Sequence, residues 1–165
     1  MAVEFGNSRT SLLNRLYINA SRNCPVGTTL TDGSRLICKA GGVAWFVAPD
    51  STQIGSQWAN NQYNDQLVGN KCCVSEWGTL DTLLSANVCG YFPTDWFVPT
   101  FAQMGNPGYL CRANWGFSAA TYYTSTEASS RVACCYYFGG TFNNFPQCWC
   151  KGCGASVRAF RCVTY

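Results

Sequence analysis

Trp96-Phe97-Val98-Pro99-Thr100 decides how this chain is read, because these five residues hold a change of structure. Proline at 99 fixes its own φ and disfavours helix at Val98, so an extended run, Gly90 to Val98, ends there. Thr100 then caps a short helix over Phe101 to Met104. Downstream, Tyr122-Tyr123-Thr124-Ser125-Thr126-Glu127 has the β-branched and aromatic character of a sheet centre.

Working outward, further short runs rich in Val, Phe, Tyr, Thr and Cys predict strands over Arg35 to Ala40, Val43 to Ala48, Ser118 to Ser125, Arg131 to Phe138 and Ser156 to Thr164. In the last run Arg158 and Arg161 do not alternate strictly with apolar residues, which suits a buried strand carrying paired charges. Gly139 to Cys153 is rich in Gly, Asn and Pro and reads as a long loop closed by cysteines. Leu12, Leu13, Leu16, Tyr17 and Ala20 recur at helical spacing, predicting an amphipathic helix over Ser8 to Ala20 with Asn7 or Ser8 as its cap. Trp77, Leu80, Leu83 and Leu84 predict another. The expected fold class is α+β: twisted antiparallel sheets, two or three short helices and long disulfide-linked loops. Residues 1–40 form an N-terminal helix and arm, docking on a partner or on the domain, and 41–165 form the domain proper, all one folding unit. Leu12, Leu13, Leu16 and Tyr17 are the candidates to dock on a neighbouring subunit.

Composition narrows the chemistry. The 165 residues include 12 cysteines and no histidine, with 12% charged and 15% aromatic. Without histidine there is no Ser-His-Asp or Cys-His relay and no zinc site with imidazole ligands. Eleven basic residues against eight acidic ones give a net charge of +3, scattered along the chain, so nucleic acid is not an expected partner. Eight scattered carboxylates also make a calcium cage a poor fit.

Compartment signals conflict. Residues Met1 to Ala20 lack the apolar run of roughly 7–15 residues that a signal peptide needs. No segment approaches the ~20 apolar residues of a membrane span, so membrane insertion is not expected. Abundant cysteine nevertheless points to an oxidising destination. Two resolutions are open: a protein made in a host cytoplasm and released by lysis on a virus particle, or thiols that bind metal or stay buried and free.

Four stretches, taken in order, carry a resemblance. Gly41-Gly42-Val43-Ala44-Trp45-Phe46-Val47 followed by Trp58, then Trp96 to Thr100, then Tyr122 to Glu127, and finally Gly139-Gly140 with the closing Val157-Arg158-Ala159-Phe160-Arg161-Cys162-Val163, resemble bacterial and phage surface domains with a C-type-lectin-like fold. That group includes the C-terminal domain of the collagen-like adhesin of Legionella and the Fibrobacter paralogous surface domains. It is more distantly similar to formylglycine-generating enzymes and phage tropism determinants. The resemblance covers about residue 41 to the C-terminus. With the missing export signal and the abundant cysteine it points to a non-enzymatic virion surface protein. A chain that is all one domain, without a shaft or trimerising repeat, suits a decoration or cement protein of a bacteriophage capsid, oligomeric in the assembly and partnered by major capsid or tail proteins. An alternative is a tail adhesin that recognises a host glycan or protein through the loops Gly105 to Arg112 and Gly139 to Cys153.

Candidate residues follow. Calcium-free sugar binding would use Tyr122, Tyr136, Tyr137 and Trp149 as a stacking platform, unless these aromatics belong to the core or an interface. Glu127 with Arg131, Arg158 or Arg161 is the expected ion pair of the scaffold. Cys24, Cys38, Cys72, Cys73, Cys89, Cys111, Cys134, Cys135, Cys148, Cys150, Cys153 and Cys162 are disulfide candidates, with about ten thousand possible pairings. In the adjacent pairs Cys72-Cys73 and Cys134-Cys135 one thiol of each should face either side of a strand. Two other uses of cysteine stay open. Cys148, Cys150 and Cys153 with Cys162 or Cys134 could hold zinc. Cys148 and Cys153 also faintly resemble the copper-binding pair of formylglycine-generating enzymes, which would make the chain a copper-dependent thiol oxidase. The leading expectation requires no cofactor and no metal.

Overall fold

The computed structural model describes residues 7–58, 96–139 and 147–165. The helix predicted around Trp77 to Leu84, the extended run up to residue 95, and Cys72, Cys73 and Cys89 lie outside the described residues.

Helix α1 (Asn7–Asn23) extends past the expected end at Ala20 and stops just before Cys24-Pro25, where proline disfavours helix in the residue ahead of it. Arg22 in its last turn complements the helix dipole. Strands β1 (Arg35–Ala40) and β2 (Val43–Val47) form a hairpin through Gly41 and Gly42, both at positive φ (57° and 76°), where a side chain would be strained. β2 pairs on its other edge with β8 (Phe160–Thr164), giving a three-stranded sheet in the order β1-β2-β8. The second sheet has five strands in the order β3-β7-β4-β5-β6, comprising β3 (Ile54–Gln57), β4 (Thr121–Glu127), β5 (Val132–Tyr137), β6 (Gln147–Cys150) and β7 (Gly154–Val157). Pairings are antiparallel except β4 with β7, which is parallel. The molecule is thus α+β, mostly sheet with little helix, and carries a disulfide.

Two expectations are corrected. The single strand over Ser156 to Thr164 is two strands in different sheets, divided at Arg158-Ala159. The loop expected over Gly139 to Cys153 contains β6. β3, a short edge strand with a glycine in it, carries too weak a pattern to be read. Pro99 and Thr100 behave as predicted: a helix at Phe101–Gln103 opens on a capping box in which the Thr100 hydroxyl accepts from Gln103 N while the Gln103 side chain accepts from Thr100 N.

Two apolar clusters hold the sheets together, and both sheets feed both of them. Leu36, Ala44 and Phe46 of the small sheet meet Tyr123, Ala133, Cys135 and Val157 of the large one, together with Trp58, Trp96 and Tyr17 of α1. Ile37, Val47 and Phe160 meet Tyr122, Phe138, Met104 and Trp115 on the other side. Side chains alternate along a strand, so Tyr122 and Tyr123 serve different clusters and the run Tyr122 to Ser125 is buried throughout. Trp115 sits edge-on to Tyr122, Phe138 and Phe160, with ring centres 5.4–5.8 Å apart. Its indole N–H donates to Gly108 O at 2.8 Å.

The N-terminal segment belongs to this same core. Tyr17, expected on a partner-docking face, is buried against Phe46 and Trp96, with centroids 4.8 and 6.3 Å away. Its hydroxyl donates to Asp32. The side chains of Leu12 and Leu13 lie outside the described residues. Leu16 is half-buried and, with Ala20, Cys24 and Leu30, lines a shallow groove of about 340 Å³ beside α1. β1, within residues 1–40, pairs with β2 across the proposed boundary, so packing does not separate an arm from a domain.

Candidate functional site

The four aromatics proposed as one sugar platform are dispersed. Tyr122 is a core residue: its ring lies in the second cluster, and its hydroxyl donates to Gln53 Oε1 at 2.8 Å and accepts from Ser118 N at 2.9 Å. Tyr136, paired across the sheet with Tyr122, stacks beneath Phe101 (4.7 Å) and Tyr109 (6.1 Å). Tyr137, one residue on, points to the opposite face by strand alternation. Trp149 is 40% exposed on the edge strand β6, opposite Ala133.

The expected ion pair is also rearranged. Glu127 bonds to Lys151, a partner not foreseen from sequence, and their side chains are only 8% and 2% exposed. Trp58 lies beneath the Lys151 ammonium, 5.0 Å from nitrogen to ring centre. Arg158 takes Asp50 instead of Glu127, and its guanidinium also donates to Ala48 O at 2.8 and 3.1 Å and to Gln53 Oε1 at 3.4 Å. Burial holds the Arg158 pKa below its ordinary value, against the pull of Asp50. Arg161, opposite Phe46, stacks over Tyr17 at 4.1 Å. Arg131 sits exposed in the turn between β4 and β5, where its carbonyl accepts from Lys151 N at 3.0 Å. These groups tie turns to strands.

Among the cysteines, Cys150 and Cys153 form a disulfide across a tight turn. That bond corrects both alternatives built on this cluster, since it removes two of the proposed zinc ligands and leaves Cys153 unable to act with Cys148 on copper. Cys24, Cys38, Cys111 and Cys162 carry free thiols, so among the described residues these four disulfide candidates are not cross-linked. The adjacent pair Cys134-Cys135 splits between faces as predicted: Cys135 enters the first cluster, while Cys134 stands opposite Cys148 of β6. The side chain of Cys148 is outside the described residues. No group of three or more His, Cys, Asp or Glu is placed to hold a metal ion among the described residues.

The most distinctive exposed surface lies on the segment after Thr100. Its chain is pinned repeatedly: Phe101 N donates to Thr126 Oγ1 at 3.0 Å, Ser125 N to Pro99 O at 2.9 Å, and Cys111 N to Pro107 O at 2.8 Å. Gly105 lets the turn close on the sheet, because a Cβ there would stand 2.5 Å from the Tyr136 hydroxyl. On this anchored turn Leu110 is 65% exposed, the most exposed large apolar side chain among the described residues. Arg112 lies beside it, its guanidinium 4.1 Å above the Tyr109 ring and held by Tyr109 O at 2.9 Å. A stacked arginine and a tyrosine are residue types that carry energy in protein interfaces, and the exposed leucine beside them adds apolar area. The loop Gly105 to Arg112 is one of the two through which the adhesin alternative expected contact. The exposure of Leu110 was not legible in the sequence.

No protein-family model matches the chain, and no curated protein matches it in sequence.

Proposed function

We propose that this chain is a non-enzymatic surface protein of a bacteriophage particle, a capsid decoration or cement protein, built on a C-type-lectin-like fold. It is made in the host cytoplasm, assembles onto the particle in several copies and is released with it by lysis. The observation that carries this reading is the exposed Leu110 beside the stacked Arg112–Tyr109 pair, a surface that suits contact with another protein. The ordered resemblance of residues 41–165 to phage and bacterial surface domains supports the setting. Burial of the Glu127–Lys151 pair and of Tyr122 in the scaffold agrees with a module whose task is to hold and be held.

The test is the amount of this chain in purified particles. Copy numbers in the hundreds, as an icosahedral shell offers, support decoration; about a dozen or fewer support a tail position. Absence from particles overturns the proposal. In particles that carry the chain, Leu110→Asp should release it during purification while the isolated protein stays folded.

A second reading is favoured by one observation, the 40% exposure of Trp149 on an edge strand stiffened by the neighbouring Cys150–Cys153 bond. An exposed indole is a natural stacking surface for a sugar ring, as a host-glycan adhesin needs. Glycan binding that vanishes in Trp149→Ala and persists in Leu110→Asp would move the function to that edge.

A further inference from the structure

We infer that Cys38 and Cys111 are a built disulfide site, whose closure locks the segment bearing Leu110 and Arg112 onto the three-stranded sheet. Its consequence for docking rests on the reading above; the bond itself does not.

The first ground is a β-bulge. In β1, Leu36 stands opposite Phe46 and Cys38 opposite Trp45, so Ile37 is an extra residue without an opposite number. Strict alternation would put Cys38 on the same face as Leu36, in the first cluster. The bulge instead turns Ile37 and Cys38 together towards the second cluster. Cys111 packs against that same cluster from the turn after Leu110. The second ground is a bridge between the two. Asn114 donates its side-chain amide to Ile37 O at 3.1 Å, inside the bulge, and its backbone N–H to Cys111 O at 2.9 Å. The third is proximity: both side chains pack against the second cluster, and the Cys38 thiol lies close enough to Cys111 to act on its ionisation. Cys162 faces the same side through Trp45 but stands two strands from Cys38, about 10 Å away. A disulfide requires Cα atoms within about 7 Å, so Cys162 is no competitor.

Closure needs a two-electron acceptor, and a low-molecular-weight disulfide supplies it. One protein thiolate attacks that disulfide, forming a mixed disulfide and expelling one small thiolate. The second protein thiolate then attacks the protein sulfur, expelling the other. Two S–H bonds are lost, one protein S–S bond forms, and the oxidant leaves as two thiols carrying the two protons. Burial, with the Cys38 thiol beside it, pushes the Cys111 pKa up to about 11. A thiol so reluctant to ionise suits a lasting staple and not a turnover couple, and closure should quicken as pH rises.

The experiment uses the full chain equilibrated with oxidised glutathione, alkylated under denaturing conditions and mapped by peptide mass. The expected result is one linked species joining the Cys38 and Cys111 peptides, about 2 Da lighter than the two free thiols together, and lost on reduction. Finding both cysteines alkylated on separate peptides, while Cys150 and Cys153 stay protected, overturns the site. Cys111→Ser should lower Tm by about 5–15 °C under oxidising conditions and much less in reductant, because a long loop is no longer closed. If that variant fails to fold, Cys38→Ser read in the same two buffers gives the same comparison, with the Cys150–Cys153 bond present in both proteins. Docking on particles stripped of the chain separates the two ideas. Tighter binding by the oxidised form supports the lock, and equal binding with the bond mapped overturns its role. No binding by either form, with the bond mapped, overturns the docking reading and leaves the bond standing.

Discussion

Two regions of this molecule invert the usual distribution of residue types. Around Lys151 and Glu127 opposite charges are sealed inside, between β4 and the turn after β6, with Trp58 beneath the ammonium. Around Leu110 an apolar side chain is held outside, on a turn pinned from both ends. Burying a charge carries a desolvation penalty that only a matching partner offsets, so the inner pair tolerates one arrangement and selects it. Exposing a leucine has no such selectivity and offers no stability to the isolated chain. The inner pair is a device for folding; under the proposed function the outer surface is one for contact.

The largest effect expected from this contrast comes from breaking the inner pair. Lys151→Met leaves the Glu127 carboxylate buried beside a thioether and should lower unfolding free energy by about 3–5 kcal/mol in a urea titration. Adding Glu127→Gln should restore part of that loss. A fall below about 1 kcal/mol for Lys151→Met would mean the pair is solvated and the contrast fails.

An intermediate effect belongs to Tyr17. Removing its hydroxyl in Tyr17→Phe takes a donor from Asp32, which still accepts from Ser34 N at 3.0 Å and Ser34 Oγ at 2.6 Å. The expected loss is about 1–3 kcal/mol. The same variant alters the response to alkali. Burial first, and then Asp32, raise the Tyr17 pKa in the folded chain above its ordinary 10.0. The unfolded chain therefore releases that proton first: stability is full below pH 10 and falls as pH climbs further. Tyr17→Phe should make this fall shallower without abolishing it. Tyr123, whose hydroxyl donates to Cys150 O at 2.6 Å and Cys153 O at 2.8 Å, is raised in the same direction by burial. A pH profile unchanged by the substitution would count against a buried Tyr17.

The smallest effect on stability is expected at the outer surface. Leu110→Ser should alter unfolding free energy by no more than about 0.5 kcal/mol. Under the proposed function it should weaken attachment to stripped particles roughly tenfold or more, as measured by co-sedimentation. A large thermal destabilisation would show that Leu110 packs inward and would remove the contrast from the other side.

How far sequence reaches differs from element to element. β1 was legible to the residue because Arg35 to Ala40 is bounded by Ser34 and the Gly41-Gly42 turn. The short helix was legible because proline and threonine act within one or two residues of themselves. β6 was hidden, since Gln147–Cys150 is extended through pairing with β5 and its own composition argues for a loop. The break at Arg158-Ala159 was hidden for a related reason: the chain changes sheets where Arg158 finds Asp50 and Ala48 O, contacts more than a hundred residues away in sequence. Of the candidate site, the Gly105 to Arg112 loop stood in the sequence reading only as a contact loop of the adhesin alternative. Tyr122 could not be excluded from it, because a buried tyrosine and an exposed one look alike in a strand.

What the sequence determines by itself here is local. Leucine and tyrosine spacing makes α1, Pro99-Thr100 turns strand into helix, and the absence of histidine removes whole classes of chemistry. Only the tertiary structure decided that Lys151 is an interior residue, that Glu127 is its partner, and that the bulge at Ile37 turns Cys38 towards Cys111. Dihedral preferences and side-chain period act over a few residues and are written in the order of the letters. Desolvation and register depend on which distant strand arrives alongside, and that is settled when the two sheets close on their shared clusters.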